Sequence, residues 1–294
     1  MNLIELVDEF HDEVKCRTYL EGLRWPNGVA CLRCGSCERI SRIESRKLFE
    51  CQSCGYQFSV TVGTIFGDTH LPLWKWFAAV YLIGESKKGI SSNQLKRTLG
   101  VSYKTAWYLS HRIRAAMKDE NPAPLTGIIE ADETWIGGRK RGVGRGVKTQ
   151  TMVLGAMERE GEVRFTIAKR RNRKTLQTFI GSVVSDDAEA IYTDEWAGYE
   201  GIGDGNMRHE TVNHSIEEWV RADVHTQGIE GVWSLFKRSI VGSYHQLSTK
   251  HLPAYLDEMA FRFNNRDNPY LFRDTLLKLI KAETMPYAEL IAEK

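Results

Sequence analysis

The stretch GIIEADETWIGG, residues 127–138, reads as a strand in which Ile128, Ile129, Ala131, Trp135 and Ile136 supply apolar positions and Glu130, Asp132 and Glu133 interrupt them. Two more apolar segments follow, TMVLGAMERE (151–160) and EVRFTIAKR (162–170), divided near Gly161 like the arms of a hairpin. TLQTFIGSVVS (175–185) is helix-like, and AEAIYTDEWAGYE (188–200) returns to a short strand. Strands followed by a helix and another strand predict an α/β domain built on a mixed sheet.

Asp132 and Asp194 stand near the ends of apolar strands, where a sheet holds a carboxylate rigidly at its rim. A third acid, Glu230, opens GIEGVWSLFKRSI (228–240), a helix whose Glu230, Trp233, Ser234 and Lys237 recur at i, i+3, i+4 and i+7 and share one stripe. Between Asp132 and Asp194 lie 61 residues, and between Asp194 and Glu230 lie 35. Three acids converging from two strands and a helix can hold two Mg²⁺ (or Mn²⁺) ions against the entering and leaving oxygens of a phosphoryl transfer. Any one of them alone is the kind of group that ordinarily sits solvated on a surface. Glu133 and Glu195 adjoin the chosen aspartates but are expected to point to the opposite face of their strands. Glu130 shares the face of Asp132 and Asp223 precedes Glu230, which makes these two the reserve candidates. His225 and His245 flank Glu230 and suit an acid–base role, or ordinary packing and phosphate contacts.

Upstream, NPAP (121–124) reads as a linker. Before it, SSNQLKRT, a turn at LGVS and YKTAWYLSHRIRAAM have the punctuation of a helix-turn-helix, with Gly100 in the turn and Ser102 as an N-cap. In the last helix Ala106, Leu109, Ile113 and Ala116 make the inner face. Lys104, Tyr108, His111 and Arg114 fall largely away from it, as on a recognition helix in a major groove. A plain three-helix packing unit explains the same periodicity.

Five of the six cysteines lie in a short N-terminal span, and Cys31, Cys34, Cys51 and Cys54 form C-x2-C-x16-C-x2-C with Gly35 and Gly55 directly after each pair. Two thiolates at that spacing grip one metal from a tight turn, the glycine supplying the positive φ, and four suit a structural tetrahedral Zn²⁺. Cys37, three residues after Cys34, is a competitor. The glycine placement favours Cys34 and leaves Cys37 and Cys16 as free thiols.

The chain has 294 residues with 40 Lys+Arg against 38 Asp+Glu, 42% hydrophobic and 10% aromatic, which excludes a mostly disordered polypeptide. The most apolar run, Leu71 to Ile83, is too short to span a membrane and carries Lys75, so it is read as a buried helix. An acidic MNLIELVDEF start is unlike a signal peptide and predicts a cytoplasmic chain with reduced thiols. The net +2 is partitioned: 86–118 holds eight Lys/Arg, 137–149 holds five and 163–174 holds six, each without an acid. The remaining 21 basic residues stand against all 38 acids, −17 for the rest of the chain. Blocks of one sign suggest a polyanion surface, with Lys96, Arg97, Lys104, Arg139, Lys140 and Arg141 as candidate DNA contacts, or simply solvated basic faces.

Taken together, RWPNGVACLRCGS, FECQSCGYQFSVTVGTIF, LPLWKWFAAVYL, GISSNQLKRTLGVSYKTAWYLSHRIRAAM, IEADETWIGG, YTDEWAGY, IEGVWSLFKRSIVGSYH and HLPAYLDEMAFRFNNR resemble the DDE transposases of bacterial insertion sequences, in the ISXO-type branch with an N-terminal zinc ribbon. The resemblance runs in order from about Arg24 to Arg266, with departures at Leu32, where the family often has Pro, and Gln227, where it often has Asn. It implies a multi-domain α/β protein: an N-terminal helix and zinc ribbon over 1–64, a helix-turn-helix domain over 65–120, a ribonuclease H-like catalytic core over 125–270 and a helical tail over 271–294. It further implies that Asp132, Asp194 and Glu230 are the triad, that Lys237 touches DNA near the reacting end, and that the substrates are the element's terminal repeats and target DNA. A homo-oligomer without membrane association is expected. The rival classes are a DNA-binding regulator with a decayed core and a metal-dependent nuclease.

Overall fold

The computed structural model describes residues 1–137, 150–202, 208–212 and 220–292. They fall into two compact units, one formed by Met1–Ser86, Ile90–Met117 and the chain from Asn268 onward, the other by Lys87–Gly89 and Lys118–Asp267.

The first unit begins with helices α1 (Leu3–Phe10) and α2 (Glu13–Arg24). Asn2 and Glu5 close α1 with a reciprocal capping box, and Asp12 caps α2. A small antiparallel sheet follows, β1 (Ile40–Ile43), β2 (Leu48–Cys51) and β3 (Gln57–Phe58). The apolar run is the buried helix α3 (Leu73–Gly84), with Trp76, Phe77, Val80 and Ile83 inside. Next come α4 (Ser92–Leu99), ended by Gly100 in the left-handed conformation, and α5 (Tyr103–Met117), whose N-terminal Thr105 N–H is capped by the Ser102 hydroxyl at 3.1 Å. Ala106, Leu109, Ile113 and Ala116 are all buried, as the periodicity predicts.

The second unit is a five-stranded mixed sheet between helices. β4 (Ile128–Ile136), β5 (Thr151–Glu158), β6 (Val163–Ala168), β7 (Ala190–Asp194) and β8 (Arg208–Val212) lie in the order β6-β5-β4-β7-β8. β4, β5 and β6 are antiparallel neighbours, whereas β7 runs parallel to both β4 and β8. The hairpin, the crossover helix α6 (Arg173–Val183) and the returning strand are therefore those expected, in a ribonuclease H-like mixed sheet. Ile129 and Ala131 face Leu176, Phe179 and Ile180 of α6. On the other side Ile136, Val153 and Val163 pack under α7 (Gln227–Ser239) and α8 (Leu252–Asn264) through Ile229, Trp233, Phe236, Leu256 and Met259. The alternation along β4 thus sends Glu130 and Asp132 toward α7, and Glu133 toward α6.

The C-terminal stretch is helical, as α9 (Leu271–Lys281) and α10 (Tyr287–Ile291), and packs within the first unit. Phe272 of α9 completes an aromatic cluster with Phe10 and Phe77, ring centroids 5.8 and 5.6 Å away. Among the described residues no helix is long and apolar enough to cross a membrane.

Candidate active site and cysteine cluster

β4 stays paired with β7 only from Ile128 to Glu130, and beyond that point the two parallel strands diverge. The opening lies at the carboxyl end of β7, the kind of crevice in which α/β sheets place ligands. Asp132 stands just past the last pairing and Asp194 is the last residue of β7. Ligand oxygens of Asp132, Asp194 and Glu133 lie within 4.8 Å of one another. Expecting Glu133 to be lost to the opposite face is thus corrected: its side chain does leave from that face, but where β4 pairs with β5 alone and no longer with β7 it reaches the same opening.

Each acid is held by neighbours. Trp233 Nε1–H donates to Asp132 Oδ2 at 3.0 Å. Room for that indole comes from Gly155, the cross-strand partner of Asp132, where a Cβ would lie 2.5 Å from the ring. Tyr199 O–H donates to Glu133 at 2.7 Å, and Trp196 N–H donates to Asp194 at 3.2 Å. Arg171 pairs with Glu133 and stands 3.5 Å from Asp194. Burial, with Glu133, Asp194 and Glu230 nearby, pushes the Asp132 carboxyl up to about 7. Burial also raises Glu133, although Tyr199 and Arg171 oppose the shift.

Glu230 faces this opening from α7, apart from the trio. Asp132, Glu133, Glu230, Trp233, Ser234 and Lys237 line one cavity of about 560 Å³, so the helical stripe and the first aspartate share a wall. Glu130, a reserve candidate, is fully buried and serves the helix instead, accepting the Ile229 N–H at 3.0 Å and the Arg159 Nε–H at 2.8 Å. A buried carboxylate on the first turn of α7 seats the helix that carries Glu230. Arg159 also donates to the carbonyls of Asp223 and His225 at 2.8 and 3.1 Å, holding the approach to α7. His225 turns its Nδ1 to Glu130 at 3.3 Å, the Asp223 carboxylate accepts the Tyr192 hydroxyl at 2.7 Å, and His245 is exposed after α7. Gln227 is the exposed first residue of α7.

Four thiols form a second cluster, Cys31, Cys34, Cys51 and Cys54, again within 4.8 Å. Sγ–Sγ distances of 3.6 Å for Cys31–Cys54 and Cys34–Cys51 match the edge of about 3.8 Å set by a tetrahedron with 2.3 Å Zn–S bonds. Gly35 and Gly55 have φ of +74° and +70°, the left-handed turns the spacing required. Burial raises the Cys31 thiol, but N–H donors from Cys34 and Arg33 outweigh it and bring it down to about 6. Cys16, buried away from the cluster, is pushed up to about 12 by burial and the nearby Glu13 and Asp12. Cys37 is exposed, its thiol 3.5 Å from the Gly35 carbonyl.

Two recognition-helix candidates need correcting. His111 and Arg114 are 2% and 1% exposed, so neither side chain lies on an open outer face of α5; the His111 ring packs on Trp107 with centroids 4.5 Å apart. Tyr108 is half-buried, donates its hydroxyl to the Met285 carbonyl and packs edge-on to Tyr287 at 5.3 Å. Lys96, Arg97 and Lys104 remain exposed. Arg139, Lys140 and Arg141 lie outside the described residues.

Residues 124–264 match the ISXO2-like transposase domain, and residues 11–57 the transposase zinc-ribbon domain. A curated relative from Halobacterium salinarum, a protein in transposable element ISH50, is 28% identical over 278 residues, covering 87% of this chain and 92% of its own. Among solved structures, a chain of the simian T-cell lymphotropic virus intasome bound to a PP2A regulatory subunit is 13% identical at TM-score 0.31, over 56% of this chain and 63% of that one. The Mos1 strand transfer complex is 13% identical at TM-score 0.30, over 70% and 75%. Superposition that loose fixes nothing by itself; the two domain matches, which together take in most of the chain, do. The chain thus carries a transposase zinc-ribbon domain followed by an ISXO2-like transposase domain.

Proposed function

We propose that this transposase cuts DNA at the ends of an insertion sequence and joins the freed 3′-hydroxyls to target DNA, with Asp132, Asp194 and Glu230 holding Mg²⁺ or Mn²⁺. The observation that carries the reading is the convergence of Asp132, Glu133 and Asp194 beside a cavity that Glu230 and Lys237 also line, in a matched transposase domain. Carboxylate oxygens are the donors hard divalent ions take. Bound there, such ions supply Lewis-acid stabilisation of the entering and leaving oxygens. Trp233 and Gly155 orient Asp132, Glu130 seats the helix bearing Glu230, and Lys237 offers a cation to the phosphate. In the first step a water oxygen bonds to phosphorus as the 3′-oxygen leaves and takes a proton. In the second that 3′-hydroxyl replaces the leaving oxygen of a target phosphodiester. No Ser or Tyr nucleophile enters either step.

A structural Zn²⁺ on Cys31, Cys34, Cys51 and Cys54 would hold the ribbon, and the ribbon with α4 and α5 would read the terminal repeats. Paired ends imply a dimer or larger assembly.

The test incubates the protein with Mg²⁺, labelled element ends and a target plasmid. Joined products should form and fall by roughly a hundredfold or more in Asp132→Asn, Asp194→Asn and Glu230→Gln, as losing several kcal/mol of Lewis-acid stabilisation demands. Metal-dependent cutting without joining would make the protein a nuclease. Binding without cutting would make it a regulator.

A further inference from the structure

The carboxylate cluster already contains a cation of the protein's own. Arg171 pairs with Glu133, reaches Asp194 at 3.5 Å, and places its guanidinium carbon over the Trp196 ring at 4.0 Å from the centroid. Trp196 is fixed in turn: it packs edge-on to Tyr199, the donor to Glu133, and Gly198 carries no Cβ because one would fall 1.9 Å from the indole. The guanidinium is therefore a seated group at the rim, not a wandering surface arginine, and its charge stands where carboxylate oxygens would otherwise repel one another. It also belongs to the acid-free run 163–174, whose Lys169, Arg170, Arg173 and Lys174 are exposed and lie in no ion pair among the described residues.

We propose that Arg171 is a displaceable counter-ion: it neutralises Glu133 and Asp194 in the metal-free protein, yields that position when a divalent ion binds, and then contacts a DNA phosphate. The proposal rests on the active-site reading above. Its physical basis is competition, since one cluster of carboxylates cannot give full attraction to two cations at once. The arrangement couples two ligands. Metal binding releases a guanidinium to the backbone, so metal raises DNA affinity and, reciprocally, DNA raises metal affinity. It also makes Glu133 a working member of the cluster, holding Arg171 in one state and facing the metal in the other.

The experiment uses the zinc-loaded full chain and Ca²⁺, an oxygen-seeking ion, so that binding is read without turnover. Calorimetry measures Ca²⁺ affinity, and fluorescence anisotropy measures binding of a labelled generic duplex with and without Ca²⁺. Arg171→Gln should bind Ca²⁺ on the order of tenfold more tightly, the scale on which a nearby opposite charge acts on a carboxylate. The Ca²⁺-dependent gain in duplex affinity should shrink in the same variant. Arg171→Lys, which keeps the charge, should stay near wild type in both. Unchanged or weaker Ca²⁺ binding by Arg171→Gln, or an undiminished Ca²⁺ effect on DNA, overturns the proposal. Failure of the wild-type chain to bind any divalent ion brings down the active-site reading and this one together. Normal metal binding and strand joining with an indifferent Arg171→Gln brings down this one alone.

Discussion

Asp132 shows how much of a site can depend on a residue that is missing a side chain. Its partner across the strands is Gly155, and only because that position is bare can the Trp233 indole lie over the sheet and donate to Asp132 at 3.0 Å. Spacing along α7 puts Trp233 on the stripe with Glu230, but nothing in the order of residues says that an indole on one element needs a glycine on another. The electrostatic result is a carboxyl raised to about 7, first by burial and then by neighbouring acids. Because this folded value lies above the ordinary carboxylate value, the metal-free protein gains stability from the proton at low pH and loses it as pH rises through about 7. A divalent ion competes with that proton. Ca²⁺ affinity, followed by calorimetry from pH 5.5 to 8.5, should therefore climb with pH and level off above about 7. Trp233→Phe removes a donor to the charged form, so the climb should move to higher pH. A flat profile in wild type, or a midpoint indifferent to Trp233→Phe, would refute this account of Asp132.

At the scale of elements, what is legible in the residues is what is local. The hairpin, α6, β7 and α7 follow from apolar periodicity and turn chemistry over a few residues, and the cysteine knuckles from two identical spacings. Glu133 escapes such reasoning because strand alternation says which face a side chain leaves, whereas its carboxylate is placed by where β4 ceases to pair with β7. Tyr108 escapes it because its partners, Met285 and Tyr287, come from more than 150 residues later in the chain, and the burial of His111 and Arg114 is likewise not written in the periodicity of α5. The ribbon is the element with the least core: Trp25, Phe49, Tyr56 and Phe58 pack around Cys31 and Cys51, and three short strands complete it. So small an apolar cluster would depend on the Zn²⁺ proposed for its four thiols. Cys51→Ser or a strong chelator should release about one Zn²⁺ per chain, measured by metal analysis, and increase amide hydrogen exchange across β1 to β3 while β4 to β7 stay protected. Zinc retained in Cys51→Ser would show that Cys51 is not a ligand, and unchanged exchange would show that the ribbon stands on its core alone.

Across the whole molecule, acid-free blocks in sequence are not acid-free in space. Of the eight basic residues in 86–118, Arg112 and Arg114 are buried, Arg112 donating to the carbonyls of Ile65 and Gly67, and Lys118 pairs with Glu120 at 2.8 Å. Arg171 of the third block pairs with the site carboxylates. Charge counted along the chain thus overstates the surface open to a polyanion, and the exposed Lys96, Arg97 and Lys104 on α4 and α5 are what this block offers within the first unit. These are expected to differ sharply from their buried neighbours when DNA binding is titrated with salt. Removing a cation that neutralises one phosphate lowers the slope of log affinity against log salt by about 0.9, so the triple variant Lys96→Ala, Arg97→Ala, Lys104→Ala should reduce it by up to roughly 2.7 between 50 and 200 mM salt. The triple variant should melt like wild type, since surface substitutions of this kind change stability by about 0.5 kcal/mol or less. Arg114→Ala should do the reverse, lowering the melting temperature by several degrees through lost packing of a buried side chain while leaving the salt slope of the folded fraction intact. Anisotropy with a labelled duplex and thermal melts on the same preparations check both halves. An unchanged slope in the triple variant, or a reduced slope in a fully folded Arg114→Ala, would move the DNA-facing surface away from the exposed residues of α4 and α5.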